Sequence, residues 1–152
     1  MNETTLTVQG NVATDVALRT TRSGHEVASF RVACTPRRYD KQVEQWVDGQ
    51  SAFYQVSCWR SLARNAAESL KKGLPVIVHG RLTQRMYERD VNGETVRSYA
   101  SEIDALCLGP DLRYGVAEFR RAKSQAIRLA EDRARNEAME RAEPAEVDEG
   151  AA

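Results

Sequence analysis

The sequence predicts an all-β domain, a small five-stranded barrel with one helix inserted late in the strand order, followed by a charged tail. Three observations carry that prediction. Apolar and polar residues alternate at period two through most of the first 110 residues, as strands with one buried face require. The period changes to roughly four over residues 61 to 73. Asn92-Gly93, set between two alternating segments, is the strongest short-range signal for a tight hairpin.

The elements follow in order. "TTLTVQGNVATDVALRT" sets Leu6, Val8, Gly10 and Val12 against polar neighbours, which makes a first half-buried strand, with Gly10 suited to a bend or bulge. "TRSGHEVASFRVACT" supplies a turn at Ser23-Gly24 and then Ala28, Phe30, Val32 and Cys34 on one face of a second strand. Residues 36 to 51 break the alternation with Pro36 and Gly49 and mix Tyr39 and Trp46 with Arg37, Arg38 and Lys41; they are expected to form a long exposed loop. "FYQVSCW", residues 53 to 59, is the third strand. Its period directs Tyr54, Val56 and Cys58 to the core and Phe53, Gln55, Ser57 and Trp59 to the opposite face. Two large aromatics on a face that Gln55 and Ser57 mark as wet fit a second core, a subunit interface, or a stacking platform for flat ligands such as nucleobases.

"SLARNAAESLKKG" is the helix, with Leu62, Ala66 and Leu70 on one stripe, Ser61 as N-cap, and Lys71, Lys72 and Gly73 at its C-terminal end. "LPVIVHGRLTQRMYERD" and "ETVRSYASEIDALCL" then flank "VNGE" as the fourth and fifth strands. Three strands, a helix and two strands is the order of an OB-fold, a Greek-key barrel whose faces and long loops bind oligonucleotides or oligosaccharides. The barrel is assigned to residues 1–110. Residues 111–123 form a C-terminal extension, with Leu112, Tyr114, Val116 and Phe119 as candidates for an extra strand or hook. Residues 124–152 are a flexible or partly helical tail, and the terminal "EPAEVDEGAA" is expected to be disordered.

Composition excludes several classes. A chain of 152 residues with 41% hydrophobic content supports one core and an extension. The longest apolar run is "LPVIV", far short of a membrane span, and "MNETTLTVQG" is no signal peptide, so a cytoplasmic protein is expected. Cys34, Cys58 and Cys107 lack metal-binding spacing, and only His25 and His79 could join them. Cys34 and Cys58 fall on core parity. Cys107 does not belong to that set and is a candidate for a disulfide between identical subunits. No motif activates a thiol, so an enzyme pairing Cys34 or Cys58 with His25 or His79 is disfavoured, and neither metal nor cofactor is expected. The formal net charge is zero, which by itself argues against a strongly basic nucleic-acid binder. Its distribution is uneven: residues 113 to 141 carry eight basic and five acidic side chains, and residues 142 to 152 carry only acids.

The first 110 or so residues resemble the bacterial single-stranded DNA-binding proteins. "DVALRTTRSGHEVASFRVA" is similar to the family's opening strand pair, "SLARNAAESLKKG" to its helix, and "VIVHGRLTQRMYERDVNGE" to its fourth strand and hairpin. The resemblance implies an OB-fold homotetramer, located in the cytoplasm at the nucleoid, that binds single-stranded DNA with little sequence preference in replication, repair, recombination or segregation. It also implies stacking roles for Phe53, Trp59 and Tyr87. Trp46 is a further candidate, and Tyr39 stands beside Arg38, where some members carry an aromatic. Arg37, Arg38, Lys41, Lys72, Arg81, Arg85 and Arg89 are the candidate phosphate contacts. The family's acidic tip, Asp-Asp-Asp-Ile-Pro-Phe or similar, has no counterpart in "EVDEGAA". That departure argues against docking of repair enzymes through such a tip and favours an auxiliary paralogue. The competing reading is an OB-fold interaction module of primosomal type that binds another protein or RNA.

Overall fold

The structure, a computed structural model, describes residues 2–142. Five strands close a barrel: β1 (Thr5–Val12), β3 (Glu26–Cys34), β6 (Ala52–Trp59), β7 (Pro75–Val91) and β8 (Glu94–Pro110). Neighbours run β1, β7, β8, β6, β3, and the β3–β1 pairing at Ala33 and Val32 completes the ring. Helix α1 (Ser61–Ser69) lies between the third and fourth of these strands. The expected OB-fold is therefore present. Strand β2 (Ala17–Thr20), which the sequence reading ran together with the first strand, is a separate arm paired to β3 around the Ser23-Gly24 turn.

Alternation fills the interior. Val8 and Val12, Ala28, Phe30 and Val32, Val56 and Cys58, Val76 and Val78, and Ile103 point inward and are buried, while Ala63, Ala66 and Leu70 of α1 pack into the same cluster. Gly80 permits a close crossing at the β7 bulge, because a Cβ there would stand 2.3 Å from the Asp104 carbonyl oxygen.

Three expectations need correction. Residues 36–51 are not a loop but a hairpin, β4 (Arg37–Asp40) paired with β5 (Gln45–Asp48). Its few apolar residues hid the strand period. Cross-strand contacts and a closed base hold it instead, with Gly49 N donating to Pro36 O and the Thr35 and Ser51 hydroxyls 2.6 Å apart. Ser61 is not the N-cap: Arg60 occupies that position at φ 60°, no side chain caps the helix, and Arg60 N instead donates to Glu26 O. The helix also ends at Ser69, so Lys71, Lys72 and Gly73 lie in the turn beyond it.

No strand forms over residues 111–123, and Leu112, Tyr114, Val116 and Phe119 are exposed. The barrel's last anchor is Asp111, buried, whose carboxylate accepts from the Arg113 guanidinium at 2.7 Å while the same guanidinium donates to Gln9 Oε1. The compact unit that holds the barrel runs through Ala117. Arg113 holds the Asp111 carboxyl below its usual range, chiefly by hydrogen bonding. The second unit begins at Glu118 and contains α2 (Gln125–Ala142), an Ala-, Glu- and Arg-rich helix on which Ile127, Leu129 and Met139 are exposed. The expected disorder of 143–152 falls outside the described residues.

Candidate nucleic-acid interface

The sheet register determines which side chains share a surface. In β6, Gln55 and Ser57 stand opposite Glu102 and Asp104 of β8, and these stand opposite Thr83 and Arg81 of β7. Two residues further along each strand lie Phe53, Ala100 and Arg85; the next step on β7 reaches Tyr87, opposite Ser98, and then Arg89, opposite Val96. Side chains at this spacing project to the same face. Phe53 and Trp59 of β6 and Tyr87 of β7 therefore share the outer face of one sheet with Arg81, Arg85 and Arg89.

That face is open. Phe53, Trp59 and Tyr87 are 48%, 44% and 45% exposed, which excludes burial in a second core within the chain. Beyond the reach of β1 and β6, the strands β7 and β8 pair only with each other and form an arm that carries Tyr87 and Arg89. Its tip is Asn92-Gly93, at φ 51° and 83°, the left-handed pair that a tight hairpin turn demands.

The β4–β5 hairpin supplies a second aromatic surface. Tyr39 and Trp46 face each other in register, their rings edge to face at 5.9 Å. Trp46 is 62% exposed, so it does not cover the barrel. Arg37 shares this side and pairs with Asp48, whereas Arg38 projects to the other side opposite Val47.

Charge on the main face is partly compensated. Arg81 pairs with both Glu3 and Asp104, and Arg85 with Glu102 at 3.5 Å. These exposed pairs are weak and exchangeable. Arg38, Lys41, Lys72 and Arg89 have no carboxylate partner among the described residues, and Lys72 lies off the β7 face, in the turn after α1. The sequence reading missed Arg31. It lies in β3 opposite Gln55, outward between buried Phe30 and Val32, with its guanidinium 4.8 Å from the Phe53 ring centroid. Alternation alone could have found it, since a basic residue on the outward parity of "SFRVA" must share the surface of the neighbouring strand.

The site offers little for catalysis. Burial pushes the Cys58 thiol up to about 11 and raises Cys34 as well, so neither is a ready thiolate. His79 Nδ1 is 2.9 Å from the Thr7 hydroxyl. Cys107 is exposed on β8. Among the described residues no group of three or more His, Cys, Asp or Glu side chains could hold a metal ion, and no helix is long and apolar enough to cross a membrane. The arrangement presents exposed aromatic rings on one face, with cations on the same face.

Comparison with known proteins agrees with this geometry. The model of the single-strand binding protein family matches residues 1–107. "Single-stranded DNA-binding protein 2" of Streptomyces coelicolor is 46% identical over 123 residues, covering 81% of this chain and 60% of that protein. A single-stranded DNA-binding protein of Paenarthrobacter aurescens is 47% identical over 121 residues, covering 80% of this chain and 69% of that one. Among solved structures, a small single-stranded DNA-binding protein from Streptomyces coelicolor superimposes with a TM-score of 0.65 at 40% identity, covering 76% of this chain and 100% of that one. The second single-stranded DNA-binding protein from Mycobacterium smegmatis gives 0.58 at 31% identity, covering 79% of this chain and 100% of its own. By fold, by the surface its strands assemble and by sequence, the chain belongs to the single-strand binding protein family.

Proposed function

We propose that the chain binds single-stranded DNA with little sequence preference and shields it. Bases stack on Phe53, Trp59 and Tyr87, with Tyr39 and Trp46 as a second platform on the hairpin. Phosphates are met by Arg38, Lys41, Lys72 and Arg89, by Arg31 beside Phe53, and by Arg37, Arg81 and Arg85 when their surface ion pairs exchange. The observation that carries this reading is the shared register of Phe53, Trp59 and Tyr87 on one exposed, cation-flanked face. Every base has a π-face, so stacking binds any sequence and selects single strands, whose bases are free, over duplex.

The functional unit is a homotetramer serving replication, repair, recombination or segregation in the cytoplasm, at the nucleoid. Cys107, the exposed thiol, is the candidate for a bridge between subunits. Non-reducing electrophoresis of oxidised protein tests it, and monomer alone excludes the bridge. The binding test is a tryptophan-fluorescence titration with a long thymine oligomer at two salt concentrations, with equal-length duplex as control. Quenching by the single strand alone, weaker at high salt, supports the reading; no quenching and no shift in a gel transfers the face to a protein or RNA partner.

A further inference from the structure

A cavity of about 410 Å³ opens beside Trp59. Trp59, Leu62 and Leu106 form its apolar walls, and His25, Arg60 and Asp104 its polar ones. The register explains the meeting of Trp59 with Asp104: Ser57, two residues before Trp59 on the same face, stands opposite Asp104. Asp104 accepts from Arg81 through Oδ2 at 3.2 Å, and its Oδ1 has no donor among the described residues. Asp104, with one carboxylate oxygen free of donors, thus lines a void with one aromatic wall, in the size range of small-ligand sites.

An ionised carboxylate only accepts hydrogen bonds. Cytosine carries an exocyclic amino donor where thymine carries O4, an acceptor that a carboxylate repels, and Asp or Glu is the side-chain match for cytosine N4. Trp59 can stack either base, so stacking does not discriminate. Asp104 does.

Building on the proposed single-strand binding, we propose that this cavity is a base-reading subsite. A base stacked on Trp59 enters between the apolar walls, and Asp104 accepts from its exocyclic amino group. Arg60 supplies the cation for the attached phosphate. The subsite adds a preference for amino-bearing bases, cytosine foremost, at one position of an otherwise sequence-tolerant surface.

The test compares Kd for cytosine and thymine oligomers of equal length by fluorescence anisotropy at pH 8, using the full chain and its Asp104→Ala and Asp104→Asn variants. Either substitution also leaves Arg81 with Glu3 as its one carboxylate partner among the described residues, but that change acts on the phosphates of both oligomers and cancels in the ratio of the two constants. The expected result is a cytosine-to-thymine affinity ratio lower by about three- to tenfold in Asp104→Ala, the size of one ordinary net hydrogen bond, because the Asp104 carboxylate is partly exposed. In Asp104→Asn, whose amide can accept from cytosine N4 or donate to thymine O4 with equal ease, the repulsion of O4 is lost and the ratio falls as well. The near-isosteric asparagine variant carries the test should the alanine variant fold poorly. Thymine binding with an unchanged ratio overturns the subsite and leaves the proposed function standing. Binding of neither oligomer by the unaltered protein overturns both.

Discussion

Replacing Trp59 with alanine tests the stacking surface at a residue that is nearly half exposed. The residue stands at the end of β6, 44% exposed, next to fully buried Cys58. Truncating a buried core aromatic costs about 3–5 kcal/mol of stability, and with nearly half of Trp59 already in solvent the expected loss is about 1–2 kcal/mol. Binding should suffer more. One stacked base is worth about 1–3 kcal/mol by alanine substitution, which converts to about 5- to 150-fold in Kd. The assay is anisotropy of a labelled thymine oligomer short enough to engage one subunit, with circular dichroism melts of both proteins alongside. Trp46 remains as an internal fluorescence reporter. A folded variant with unchanged affinity would refute the platform, because no other contact assigned to Trp59 could compensate. A large drop in melting temperature with unchanged Kd would make Trp59 a packing residue instead.

Other perturbations separate the remaining parts of the account. Glu102→Gln releases the Arg85 guanidinium from its 3.5 Å partner, so binding to every single strand should tighten and the salt dependence steepen by about 0.7 in log–log slope; an unchanged slope in salt titrations would exclude Arg85 as a phosphate contact. Gly80→Ala forces a Cβ to 2.3 Å from the Asp104 carbonyl oxygen and should destabilise by about 1–3 kcal/mol in urea melts, whereas an unchanged midpoint would mean that the bulge relaxes freely. Burial holds the folded Cys58 thiol protonated from the ordinary 9.0 up to about 11. The folded state therefore keeps a proton that the unfolded chain releases, so this contribution is full below pH 9 and is lost as pH rises through about 11. Denaturant melts across that range should show a fall that Cys58→Ala removes, and identical slopes in the two proteins would exclude Cys58 as its source. With a thiol reagent at pH 8, Cys107 should react first and Cys58 only on unfolding; rapid reaction of Cys58 would contradict its burial.

Much of this architecture is written in local pattern. Period-two alternation identified the barrel strands, since a strand with one buried face can satisfy its packing only that way. The single change of period marked α1, and Asn92-Gly93 marked the β7–β8 turn, because few residue pairs accept two successive left-handed conformations. Local pattern also separated Val56 and Cys58 from Phe53 and Trp59 within one heptapeptide. It failed at the β4–β5 hairpin, whose strands are held by cross-strand pairs and a closed base rather than by an apolar face. It failed again at Ser61, where the backbone turn out of β6 gave the cap position to Arg60. The apolar residues between 112 and 119 suggested a further strand, but hydrophobicity without a pairing partner does not make one.

What the sequence by itself determined is the five barrel strands, the inserted helix, the division of β6 into core and outer faces, and the identity of the aromatics. The tertiary structure alone decided that Tyr87 joins Phe53 and Trp59 on one face, that Arg81 and Arg85 are paired with carboxylates of β8, that Arg31 reaches over Phe53, and that Asp104 borders the cavity at Trp59. The physical reason is range. Alternation, capping and turn chemistry act within a few residues and are legible in order along the chain. Neighbours across a sheet are set by register, and the parallel β6–β8 pairing that unites the site joins segments more than forty residues apart, through contacts that form only when the barrel closes.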